Sequence, residues 1–144
     1  MDKKYKLTDE IDIVEGYFHY RIRALRSFSC VVAGDLGGFV ESEGNLSQAG
    51  NCWVTDNAHV SGAARVDEDA WVGDNARVFG HARVSGTAIV FGDAWVCGNA
   101  HVSKRAWICE ESKLDQGIWD RVVHIDNKWY LVSTTLRKVL LPEY

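Results

Sequence analysis

The stretch Ala58-His59-Val60-Ser61-Gly62-Ala63-Ala64-Arg65-Val66-Asp67-Glu68-Asp69-Ala70-Trp71-Val72 decides the fold. A valine recurs there every sixth residue, and an alanine stands two residues before each valine. Followed outward, the spacing takes in Val54, Val60, Val66, Val72, Val78, Val84, Val90, Val96, Val102 and Ile108. Cys52 and then alanines from Ala58 to Ala106 hold the small position. Gly, Asn and Asp gather two residues after most of the valines. A period of six suits strand alternation plus a corner and conflicts with the roughly 3.6-residue period of a helix.

Alanine and valine, two residues apart, point to the same side of a short strand. Gly, Asn and Asp supply a corner with positive φ. Three strands and three corners make a triangular coil of eighteen residues. Stacked coils hydrogen-bond in parallel without the long crossovers that parallel strands otherwise need. The expected fold is therefore all-β, a left-handed parallel β-helix of about three to four coils. An antiparallel meander does not account for hexads that run without an insertion.

Upstream, Val40 and Leu46 fall in the phase of the small positions, with Ser42 and Gln48 where valines belong. Residues from Gly34 to Gly50 thus read as an irregular first coil. Clean coils follow to Arg105, and a closing strand ends at Cys109. Residues 1–33 read as an N-terminal β segment with a strand pair around Glu15-Gly16, residues 34–111 as the helix, and residues 112–144 as a C-terminal hairpin segment. The hairpin places its turn at Asp126-Asn127, between Arg121–Ile125 and Trp129–Val132. Both flanking segments would cover solenoid ends that otherwise expose unpaired strands.

Composition limits the function classes. The chain has 144 residues, 47% of them apolar and 25% charged, which suits one compact soluble domain. A net charge of −4 argues against general affinity for nucleic acid or an anionic membrane. The N-terminus shows no apolar core of a secretory signal and no run is long enough to span a membrane, so a cytoplasmic location is expected. Four cysteines (Cys30, Cys52, Cys97, Cys109) have no close pairing, which points to reduced thiols rather than a metal or disulfide framework.

Residues eighteen apart stack at about the 4.8 Å interstrand spacing, which turns the sequence into a surface map. The outward position before each valine gives three stripes. The first holds Trp53, Trp71, Ile89 and Trp107, an apolar face that calls for cover by a terminal hairpin or a neighbouring subunit. The second holds His59, Arg77 and Trp95. The third holds Arg65, Arg83 and His101, whose like charges need Asp67, a bound anion or an acidic partner to offset them. The candidate anion site is Arg65, Arg83, His101 and Arg77; the candidate interface is Trp53, Trp71, Ile89, Trp107 and Trp95. Asp56, Asn57, Asp74, Asn75 and Asp93 gather at corners but offer too few converging oxygens for calcium, and no metal is expected.

Val60-Ser61-Gly62-Ala63-Ala64-Arg65 and its neighbours resemble the hexapeptide repeat of the left-handed β-helix superfamily. More narrowly, Gly34-Asp35-Leu36-Gly37-Gly38-Phe39-Val40-Glu41, Asn45-Leu46-Ser47 and Trp129-Tyr130-Leu131-Val132-Ser133-Thr134-Thr135-Leu136 resemble uncharacterised bacterial and phage proteins. Those are often labelled transferases or polymer-forming proteins. The resemblance implies trimeric self-association, and in the acyltransferases a coenzyme A site between prisms with a histidine as general base. His59, His81 and His101 lie on the helix, yet no long loop builds a pocket around them and the only proline is Pro142. The three are spaced by 22 and 20 residues, unlike the zinc histidines of the related carbonic anhydrases. The reading adopted is a non-catalytic, oligomeric binding module without a cofactor. By analogy with phage members, its partner would be a host defence protein or an anionic nucleotide, met in the host cytoplasm. A coenzyme A-dependent acyltransferase is the alternative.

Overall fold

A computed structural model describes residues 3–109, 111–125, 128–133 and 138–140. The chain opens with a long hairpin, β1 (Tyr5–Val14) and β2 (Tyr17–Ala24), followed by β3 (Leu36–Val40). A run of two-residue strands then forms the solenoid. They are β4 (Trp53–Val54), β5 (His59–Val60), β6 (Arg65–Val66), β7 (Trp71–Val72), β8 (Arg77–Val78) and β9 (Arg83–Val84), continuing as β10 (Ile89–Val90), β11 (Trp95–Val96), β12 (His101–Val102), β13 (Trp107–Ile108) and β14 (Lys113–Leu114). β15 (Ile118–Ile125), β16 (Lys128–Ser133) and β17 (Lys138–Leu140) complete the strands among the described residues. The expected turn at Asp126-Asn127 lies outside the described residues.

Three sheets wrap one prism. The first runs β1-β2-β3-β5-β8-β11-β14, the second β13-β10-β7-β4, and the third β17-β16-β15-β12-β9-β6. Within the solenoid every pairing is parallel, with Val54 beside Val72, Val60 beside Val78 and Val66 beside Val84. The valines from Val54 to Val102 are fully buried, and the alanines beneath them are at most 1% exposed. Each buried valine contributes on the order of 1.5 kcal/mol, so a continuous valine column is the main source of stability. No helix among the described residues is long and apolar enough to cross a membrane.

The coil is not uniform at its ends. Val40 pairs with Val60 and Leu46 with Val66, twenty residues on instead of eighteen. Val40 and Leu46 therefore occupy the valine column, which corrects their assignment to the small positions. The two extra residues are absorbed at 47–51, where Gly50 adopts φ +70° and a Cβ would meet the Glu68 carbonyl at 2.4 Å. At the other end the stacking continues past Cys109. Leu114 pairs with Val96, and Trp119 pairs with Val102 seventeen residues away.

The N-terminal segment roots itself on this first coil. Glu15 and Gly16 both have positive φ, the geometry of a tight hairpin turn. Lys4 is fully buried and its ammonium donates to the Cys52 carbonyl at 2.7 Å. Burial pushes the Lys4 amine below its ordinary value, partly offset by Cys52. The Tyr5 hydroxyl donates to the Leu46 carbonyl at 2.5 Å, and the Tyr5 and Phe28 rings meet Trp53 edge-on at 6.3 and 5.3 Å. Trp53 is consequently 2% exposed. It belongs to the core and cannot serve as the interface residue its place in the first stripe implied. The covering element is the N-terminal segment; the C-terminal strands extend a different sheet.

Candidate ligand-binding cleft

The hairpin does more than extend the first sheet. Asp12 pairs with His19 and Val14 with Tyr17 across β1 and β2, so these four side chains share one hairpin face. That face folds back toward the outer surface of the solenoid, where Asp12 Oδ2 meets His59 Nε2 at 2.7 Å. Between hairpin and solenoid lies a cleft of about 400 Å³. Val14, Glu15, Tyr17 and His19 form its roof; Glu41, His59, Ser61, Arg77, Phe79 and Trp95 lie on the solenoid side, with the corners at Gly62 and Gly80. The volume lies within the range of small-molecule sites.

The floor follows from the hexads. Register places His59 beside Arg77, Arg77 beside Trp95, and Trp95 beside Lys113. The Arg77 guanidinium stands over the Trp95 ring at 5.8 Å and the Lys113 ammonium at 4.7 Å. Phe79 meets Trp95 edge-on at 5.7 Å. Arg77 makes no ion pair among the described residues. His59 is differently placed: its ring stacks on Phe39 at 4.9 Å and meets His19 edge-on at 5.2 Å. Burial pushes the His19 imidazole below its ordinary value, against the opposing pull of the Tyr17 carbonyl. His19 therefore adds little positive charge near neutral pH, which leaves Arg77 as the main cation of the floor.

The other predicted residues fall elsewhere. Arg65 and Arg83 stack on the third sheet, but both reach the buried Asp67, Arg65 at 3.4 Å and Arg83 at 2.9 Å. His101 Nε2 lies 3.0 Å from the Ser85 hydroxyl. Arg65 and Arg83 thus share the single Asp67 carboxylate, and of the four candidate anion ligands only Arg77 joins the cleft. Trp95 also joins it and stands apart from the first stripe. Trp71, Ile89 and Trp107 remain aligned on the second sheet, with Ile89 38% and Trp107 50% exposed. The corner acids have structural work: Asp56 accepts from the Asp74 amide at 3.2 Å and Asp74 from the Gly92 amide at 3.0 Å. Burial, then the Asp115 carboxylate, push the Cys97 thiol up, so it is a poor nucleophile.

Sequence reasoning placed Arg77 and Trp95 on one stripe but missed Asp12, Tyr17, His19 and Glu41. The alternation of Asp12 with Val14, opposite Tyr17 and His19, was the available signal for a second cleft wall. No protein-family model matches the chain, and a search of curated proteins gives no significant match.

Proposed function

We propose that the protein is a non-catalytic binding module that holds a small anionic molecule between its N-terminal hairpin and the outer face of a left-handed hexapeptide-type solenoid. The supporting observation is Arg77, a cation without an ion pair among the described residues, lining a cleft beside Trp95 and Phe79. A guanidinium in such a position gains a charge-assisted, forked partner when a phosphate or carboxylate enters.

Acyl transfer is the second reading, favoured by one observation, the His59–Asp12 pair. A carboxylate-oriented imidazole is the usual form of a general base. Against this, the His59 side chain is only 12% exposed, its Nε2 is engaged, and its ring is held against Phe39 and His19. The arrangement ties the hairpin to the solenoid rather than presenting a base to substrate.

The test is calorimetric titration of the full chain with phosphate, pyrophosphate, adenosine monophosphate, benzoate and coenzyme A, beside an acetyl-coenzyme A transfer assay. Saturable binding of at least one anion, weakened by salt, with no turnover, is expected. Turnover lost in His59→Ala would replace the binding reading with the catalytic one. Failure of every anion to bind would end the proposal.

A further inference from the structure

We propose that the ligand of this cleft is a mononucleotide with an amino-bearing base, its base edge toward Glu41 and its phosphate toward Arg77. The inference rests on the binding reading above and specifies its chemistry. Glu41 follows directly on Val40, the partner of Val60, and so stands at the hairpin end of the first sheet. Arg77, Trp95 and Lys113 follow on successive coils. The Glu41 carboxylate reaches the Gly62 amide one coil on, and the Arg77 guanidinium leans toward Trp95 on the coil after its own, so at about 4.8 Å per coil the two charges are one to two coils, or roughly 5–10 Å, apart. An acid at one end and the Arg77 cation at the other fit a molecule with donors at its head and an anion at its tail.

Each end has unused hydrogen-bonding capacity. Glu41 Oε2 accepts from the Gly62 amide at 3.1 Å, and Oε1 accepts no bond among the described residues. An exocyclic amine on a base supplies the donor such an oxygen takes. One coil further on, the equivalent corner amide belongs to Gly80, because the preceding coil has Gly62 where a carboxylate side chain would be needed. The Gly80 amide donates to no acceptor among the described residues. Three other corners show what this amide takes: Gly62, Asp74 and Gly92 each donate to a carboxylate oxygen from the coil before. The Gly80 amide, like those of Gly86 and Gly98, is left for solvent or a ligand, and Gly80 lines the cleft together with Arg77. Between the two ends, Tyr17 on the roof is 63% exposed and Phe79 with Trp95 forms the floor. A planar base lying between them would be stabilised by stacking, which does not read its identity.

The experiment compares adenosine monophosphate, uridine monophosphate, adenosine and inorganic phosphate by calorimetry on the full chain. Adenosine monophosphate is expected to bind at least about tenfold tighter than either adenosine or phosphate, and tighter than uridine monophosphate, which lacks the exocyclic amine. Arg77→Gln should weaken the nucleotide about tenfold or more while leaving adenosine unchanged. Glu41→Gln should weaken adenosine monophosphate and remove its advantage over the uridine nucleotide; Arg65→Gln should change nothing. The ligand comparison on the unaltered protein needs no variant to fold. Phosphate binding as tightly as adenosine monophosphate, or equal affinity for the two nucleotides, would overturn this inference and leave the anion-binding module intact. No anion binding at all would remove both.

Discussion

Val78→Asp is expected to give a chain with no cooperative unfolding transition, while Arg77→Ala beside it unfolds within about 1 kcal/mol of the unaltered protein. Val78 is fully buried in the column between Val60 and Val96. A carboxylate there has neither water nor a partner, at a cost of several kcal/mol. A domain of this size has about 5–15 kcal/mol in total. The loss would also propagate, because each coil is stabilised chiefly by its neighbours. Arg77 differs in direction alone, pointing outward to the Trp95 ring. Urea melts of the two variants measure the contrast, and similar midpoints would contradict the register.

A second pair of variants tests the backbone. Gly98 and Gly62 occupy equivalent corners with φ near +59° and +63°. Alanine at either position carries the left-handed cost of about 1–2 kcal/mol. At Gly62 the added Cβ stays 3.2 Å from the Gly80 carbonyl, which a small shift relieves. At Gly98 it would lie 2.2 Å from the Asp115 carbonyl. The final coil explains the difference, since His101 pairs with Ile118 only seventeen residues on and the shortened corner lies against Gly98. Gly98→Ala should therefore cost about 3 kcal/mol or more, and Gly62→Ala about 1–2 kcal/mol. Equal losses in denaturant melts would show that the last corner is looser than described.

The parts of the fold that were legible in sequence share a cause. From Cys52 to Ile108 each hexad repeats one local solution, so spacing alone assigns the inward valines and the three outer stripes. Arg77 and Trp95 were placed together for that reason. The ends resisted because a local irregularity changes the phase. Two extra residues at 47–51 put Val40 and Leu46 in the apparent phase of alanines, although both fill the valine column. One missing residue before Trp119 hides the last coil in the same way.

The cleft was harder still, because it depends on where a hairpin lands. Asp12 and His59 are forty-seven residues apart and no period links them. Cover for Trp53 likewise comes from Tyr5 and Phe28, which sit in no repeat. The charge of Arg65 and Arg83 was a nearer case. Asp67 was visible as a neighbour of Arg65, but its shorter contact is to Arg83 on the next coil. Arg65 and Arg83 share one buried acid, whereas Arg77 has no ion pair among the described residues and lines a cleft, which is why the binding proposal rests on Arg77.

The most direct measurement is a nuclear magnetic resonance titration of the full chain with adenosine monophosphate, following backbone amides and tryptophan indoles. The account predicts saturable shifts at the Trp95 indole and at the amides of Gly80, Arg77 and Tyr17. The Trp53 indole and the amides of Arg65, Arg83 and His101 should stay in place. Shifts centred on the Arg65–Arg83–His101 stripe or on Trp107, or no shifts at all, would contradict it.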